Sequence, residues 1–82
     1  MIAISDIVSE ISPMVERVGA IYGCNPLVHS FPFDEVYVYV FNRRITLVSR
    51  RDLDEERLEM IMRLAEARLV DAYERRRIRA NK

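Results

Sequence analysis

At 82 residues, half of them apolar or aromatic and 32% charged, the chain has the composition of one small globular domain spanning residues 1–82, not of a disordered segment. Its formal net charge of zero excludes a strong whole-molecule attraction to nucleic acid or to an anionic membrane. The single Cys24 excludes an internal disulfide, no apolar run reaches the length of a membrane span, and residues 1–5 lack the basic start and apolar core of a secretory signal. A cytoplasmic location is therefore expected.

The first element in chain order is a helix within residues 5–22. Ile4, Ile7, Val8, Ile11, Val15, Val18 and Tyr22 fall on one stripe at the helical period. Pro13 interrupts that stripe because it cannot donate a backbone bond and clashes with the preceding turn. Ser12-Pro13 reads as an N-cap followed by a first helical position, so the element is either one helix kinked at Pro13 or two short ones. Gly23 ends it, and Cys24-Asn25-Pro26 forms a loop.

Residues 27–33 are ambiguous, and Pro32 limits any strand there to an edge. A β-hairpin is expected over residues 35–49. All of Val36 to Phe41 are β-branched or aromatic, Asn42-Arg43 is the expected two-residue turn, and Arg44 to Ser49 is the return strand. The last element is a long helix over residues 52–79. Asp52 is its expected N-cap with Glu55 three residues on, acids crowd its first turns and arginines its last. The fold class is α+β.

Two features ask for a partner. In the hairpin, Val36, Val38 and Val40 alternate with Tyr37, Tyr39 and Phe41, so both faces of the ribbon want cover. A two-stranded sheet is also marginal alone and invites further strands. A helix of this length, at ~1.5 Å per residue, reaches roughly 42 Å, whereas a domain of this size is roughly 30 Å across. Leu58, Ile61, Met62, Ala65, Leu69, Ala72 and Tyr73 form an apolar stripe along it, widened by Met60, Leu64, Ala67 and Val70. The expectation is a homodimer that completes its sheet or core by association, with Tyr37, Tyr39, Phe41 and the helix stripe at the interface.

Charge is unevenly placed. Residues 1–41 carry one Arg against five acids, and residues 42–82 carry twelve basic residues against eight acids. Twelve of the thirteen basic residues are Arg, and Gln is absent, a thermophile-like composition whose forked cations suit carboxylates and phosphates alike. Arg43, Arg44, Arg50 and Arg51 bracket the return strand, and Arg75, Arg76, Arg77 and Arg79 crowd the C-terminal helix. Beside aromatic strand residues, such a basic set fits RNA or DNA, because bases stack on aromatic planes while guanidinium groups meet phosphates.

Other chemistry is not indicated. Cys24 and His29 fall short of the four ligands of a structural zinc site and lack the third group a nucleophile and base would need. No glycine-rich strand-to-helix turn marks a nucleotide cofactor, and no carboxylate pair is signalled for acid–base work. The chain reads as a non-enzymatic homodimeric accessory or adaptor protein, associated with nucleic acid through its arginines. It needs no cofactor, metal, membrane or small-molecule substrate. The alternative is a pure protein–protein assembly module with no nucleic-acid role.

Overall fold

A computed structural model describes residues 2–31, 34–54 and 57–80, the side chains of 77–80 excepted. Helix α1 (Ile4–Ile21) leads into strands β1 (His29–Phe31), β2 (Glu35–Val40) and β3 (Arg43–Val48); a 3-10 turn (Arg50–Asp54) then precedes helix α2 (Leu58–Ala80). The strands form one antiparallel sheet in the order β1-β2-β3. The third strand thus comes from this same chain, at the segment whose sequence is ambiguous. The molecule measures 42 × 20 × 20 Å.

Helix α1 is one continuous element with Pro13 inside it, so the two-helix alternative is overturned. The reason lies in the faces. Ser9 and Pro13 are both exposed, so the carbonyl that Pro13 cannot bond faces solvent. The buried stripe of Ile7, Ile11, Met14, Val15 and Val18 passes unbroken on the other side. Ser12 caps nothing; its hydroxyl donates to the Val8 carbonyl at 2.7 Å. The C-terminus does close on Gly23, whose φ of +71° suits a residue without Cβ. The Gly23 and Cys24 amides turn back to the Ala20 and Gly19 carbonyls at 3.1 and 2.8 Å, satisfying the orphaned ends.

The hairpin turn is Phe41-Asn42, not Asn42-Arg43. Val40 pairs with Arg43, and both turn residues have positive φ, +48° and +69°. Two such residues match the twist of a two-residue hairpin, and Asn tolerates that region while Phe does so at a cost. An irregularity in pairing at Val36/Tyr37 lets two successive residues of β3, Leu47 and Val48, both turn inward.

The expected helix start at Asp52 is likewise corrected. Residues 50–54 form the 3-10 turn, and the Arg57 carbonyl begins α2 by accepting from Met60 and Ile61. Glu55, the expected capping partner, lies outside the described residues. Asp52 has a different task. Its carboxylate accepts from the Ser49 amide at 2.8 Å and the Ser49 hydroxyl at 3.0 Å. It also receives the Arg68 guanidinium in two-pronged fashion, at 2.5 and 3.3 Å. Arg68 donates in addition to the Leu47 carbonyl at 2.9 Å, tying α2 to β3.

Both helices lie on one face of the sheet. Val36, Val38 and Val40 meet Ile7, Ile11 and Val15 of α1 and Ile61, Ala65 and Leu69 of α2 in a single core. The helix stripe expected to meet a partner is therefore the chain's own core face. Ile61, Ala65, Leu69, Ala72 and Tyr73 are buried within the chain, and Leu58 and Met62 pack half-buried against the same cluster. Dimerisation is not required to cover them.

Gly19 marks the tightest approach. A Cβ there would lie 2.4 Å from Cδ of Pro26 and 3.1 Å from the Cys24 carbonyl oxygen. Gly19→Ala is expected to cost about 1–3 kcal/mol in urea unfolding, since neither neighbour can swing aside. An unchanged midpoint would show that the loop yields instead. The acid limb of stability should trace to Asp52. Burial acts to raise its pKa, but the hydrogen bonds from Arg68 and Ser49 and the charge of Arg68 outweigh it and hold the carboxyl below its ordinary 3.8. A depressed folded pKa contributes stability above the unfolded value and loses it as pH falls below about 4. The stability gap between wild type and Asp52→Asn should therefore narrow on acidification; a gap constant from neutral pH to pH ~3 would contradict the assignment.

Candidate nucleic-acid interface

Alternation along the strands decides what the uncovered face carries. With Val36, Val38 and Val40 turned to the helices, Tyr37 and Tyr39 must point away. The register adds their neighbours: His29 pairs with Tyr37 on one side, Thr46 with Tyr37 and Arg44 with Tyr39 on the other, and Phe31 with Glu35. The open face is thus His29, Phe31, Glu35, Tyr37, Tyr39, Arg44 and Thr46.

Tyr37 is the centre of this surface. The His29 ring stacks on it with centroids 5.2 Å apart and planes 14° from parallel. Tyr39 meets it edge-on at 5.9 Å, and Phe31 lies tilted at 5.4 Å. From β3 the Arg44 guanidinium sits 4.0 Å from the centroid of Tyr37 and 4.7 Å from that of Phe31. Arg44 is also ion-paired with Glu35. Tyr37 is therefore engaged from both flanking strands. Phe31 and Tyr39 are less enclosed, at 45% and 49% exposure, and are the rings an incoming planar group would meet.

Phe41 does not belong to this surface, contrary to the alternation expected for it. It sits in the turn, and its ring meets Tyr73 of α2 edge-on at 5.9 Å. Tyr73 in turn stacks on Tyr22 at 4.7 Å. His29, weighed in the sequence only as a metal ligand or base beside Cys24, and Phe31 are by contrast residues that the sequence does not assign to this surface. Their only signal is the His-Ser-Phe spacing, which places both on one face if the segment is extended.

The arginines do not form one patch. Among the described side chains, only the Arg44 guanidinium lies over the aromatic cluster. Arg43 is exposed beside the turn, and Arg50 and Arg51 are exposed beyond the other end of β3. Helix α2 packs on the core face, so its arginines belong to the opposite layer. Arg75 pairs with Asp71 at 3.0 Å, and Arg76 donates to the Ala72 carbonyl at 3.1 Å. The side chains of Arg77 and Arg79 lie outside the described residues.

Cys24 and His29 serve different surroundings. His29 is part of the ring cluster, whereas the Cys24 thiol points to the Tyr22 carbonyl at 3.6 Å. Cys24, Tyr39, Phe41, Asn42 and Tyr73 line a shallow pocket of about 320 Å³ at the turn end of the sheet. Among the described residues no group of three or more His, Cys, Asp or Glu could hold a metal ion, and no helix is long and apolar enough to cross a membrane. The Tyr73 hydroxyl is buried, and among the described residues it has no hydrogen-bond partner of good geometry. Burial first, and the adjacent Cys24 second, push its pKa up to about 12. Tyr73→Phe should accordingly leave stability unchanged or raise it by up to ~1 kcal/mol, because it removes an unsatisfied group and keeps the ring contacts. A loss above that margin in chemical denaturation would show that the hydroxyl is bonded.

No protein-family model matches this chain, and no curated protein and no solved structure is significantly similar to it.

Proposed function

We propose that this chain is a non-enzymatic accessory protein that binds single-stranded RNA or DNA on the open face of its sheet. One observation carries the reading: an aromatic cluster with a guanidinium over its centre lies on a sheet face that no helix or strand among the described residues covers. Tyr39 and Phe31 offer planes on which bases stack, and each stacked base contributes ~1–3 kcal/mol regardless of its identity. Arg44 supplies the cation for a backbone phosphate, whereas Arg43, paired with the core-facing Val40, belongs to the other side of the sheet. Arg50 and Arg51 extend the basic line beyond the far end of β3.

Glu35 sets the affinity. Its carboxylate already neutralises Arg44, so a phosphate must compete with it for the same guanidinium. Such an arrangement suits modest, sequence-tolerant binding that falls with salt. The same neutralisation favours the second reading, a protein–protein assembly module whose aromatic face meets another protein. Contacts of that kind hold or strengthen in sulfate.

The two readings separate in one series. Fluorescence anisotropy with labelled single-stranded RNA and DNA oligomers should show binding by wild type. Tyr39→Ala should weaken it by roughly fivefold to a hundredfold, following the value of one stacked base. Arg44→Glu should abolish it. Glu35→Gln should strengthen it by up to roughly fivefold, because it frees the guanidinium at a partly exposed pair. Wild-type protein that binds neither oligomer at low salt would end the nucleic-acid reading in favour of the assembly module.

A further inference from the structure

The open face continues past Tyr39 into the pocket at the turn end of the sheet, because the Tyr39 side chain belongs to both. Tyr39 lies four residues along β2 from Glu35, the partner of Phe31. The two exposed rings of the face therefore stand roughly 13 Å apart along the strand, at ~3.3 Å per residue, with the pocket beyond the second. Tyr39 and Phe41 bring aromatic rings to this pocket, Asn25 and Asn42 bring side-chain amides, and Cys24 and Tyr73 complete its lining. Its volume of about 320 Å³ is at the low end for small-molecule sites, room for one flat heterocycle rather than an extended ligand.

Phe41 is the unusual part of the lining. Left-handed turn positions are ordinarily filled by Gly, Asn or Asp, and a bulky side chain adopts that backbone only at an energetic cost. The edge-on contact with Tyr73 holds the ring in place, yet Phe41 remains 54% exposed. The turn thus presents an aromatic ring to the pocket where a small polar residue would fold with less strain.

We propose, resting on the nucleic-acid reading, that this pocket receives one unstacked base of the single strand that crosses the open face. Two features select a base over other planar groups. An amide carries a donor and an acceptor side by side, the pattern that base edges also present, so Asn25 and Asn42 complement an edge that a plain aromatic ring lacks. The backbone leading to the pocket is held at Arg44, whose guanidinium lies over Tyr37, two residues before Tyr39. A base beyond Tyr39 is thus delivered by its own strand at a high effective concentration. Bases on Phe31 and Tyr39 are stacked without regard to identity, whereas the base in the pocket also meets polar groups at its edge, so base preference is confined to that one position.

Cys24 lines the pocket and is partly exposed, so its alkylation by iodoacetamide, followed by intact mass, reports whether the pocket is filled. The measurement uses the whole chain with a single-stranded RNA oligomer whose binding is followed by anisotropy. At oligomer concentrations ~10 times the Kd, mass action leaves about a tenth of the pocket open, so alkylation should slow by roughly tenfold. Phe41→Asn removes the ring and keeps a residue that tolerates the turn, with circular dichroism confirming the fold. This variant should bind the oligomer roughly fivefold to a hundredfold more weakly, the value of one stacked base. Once saturated, its Cys24 should react at the rate of the free variant. Phe41→Tyr, which keeps the ring, should retain both affinity and protection. A saturated wild-type chain whose Cys24 reacts at the free rate overturns the base pocket and spares the sheet-face reading. Protection that persists in saturated Phe41→Asn, or an affinity unchanged by that substitution, overturns it equally. Wild type that binds no oligomer at low salt ends both readings together.

Discussion

The valine side of β2 is the contact on which the rest of the molecule depends. Val36, Val38 and Val40 are at most 1% exposed, and both helices converge on them. A sheet of three short strands holds together only if one face is sheltered from water, since strand pairing alone stabilises it marginally. Because side chains alternate, sheltering the valines commits the tyrosines to the outside. Core and candidate site are thus two consequences of one arrangement.

Three smaller ties keep that arrangement in register. At one end of the sheet, Arg68 joins Asp52 and the Leu47 carbonyl, locking α2 to the edge of β3. At the other, Tyr73 stacks on Tyr22 and receives Phe41 edge-on, joining both helix ends to the hairpin turn. The ring contact compensates for the left-handed backbone at Phe41, a conformation that costs a bulky residue of order 1–3 kcal/mol. At the neck between α1 and β1, Gly19 lets Pro26 approach closer than any side chain would permit.

Much of the fold is legible residue by residue. The stripe of α1, its end at Gly23, the hairpin and the helical character of residues 58–79 follow from periodicity and turn chemistry. The misreadings share a cause. Pro13 looks like a break, yet it falls on the solvent side, where the lost backbone bond is tolerable. Asp52 looks like a helix cap, yet a guanidinium sixteen residues away claims its carboxylate. The apolar stripe of α2 looks too wide for one neighbour, yet it has two, α1 and the sheet. In each instance a local signal is correct about chemistry and silent about which distant group answers it.

From sequence alone, the residues determine that the chain is a small α+β domain, that valine and tyrosine take opposite faces of β2, and that basic charge is carried by arginine. These follow from side-chain periodicity and composition, which need no knowledge of distant contacts. Only the tertiary structure decides that the valine face is the covered one, that His29 and Phe31 join Tyr37 and Tyr39, and that Arg44 lies over those rings. Those outcomes depend on strand pairing and on which helix faces meet, quantities fixed by packing across the whole chain rather than by any stretch of it.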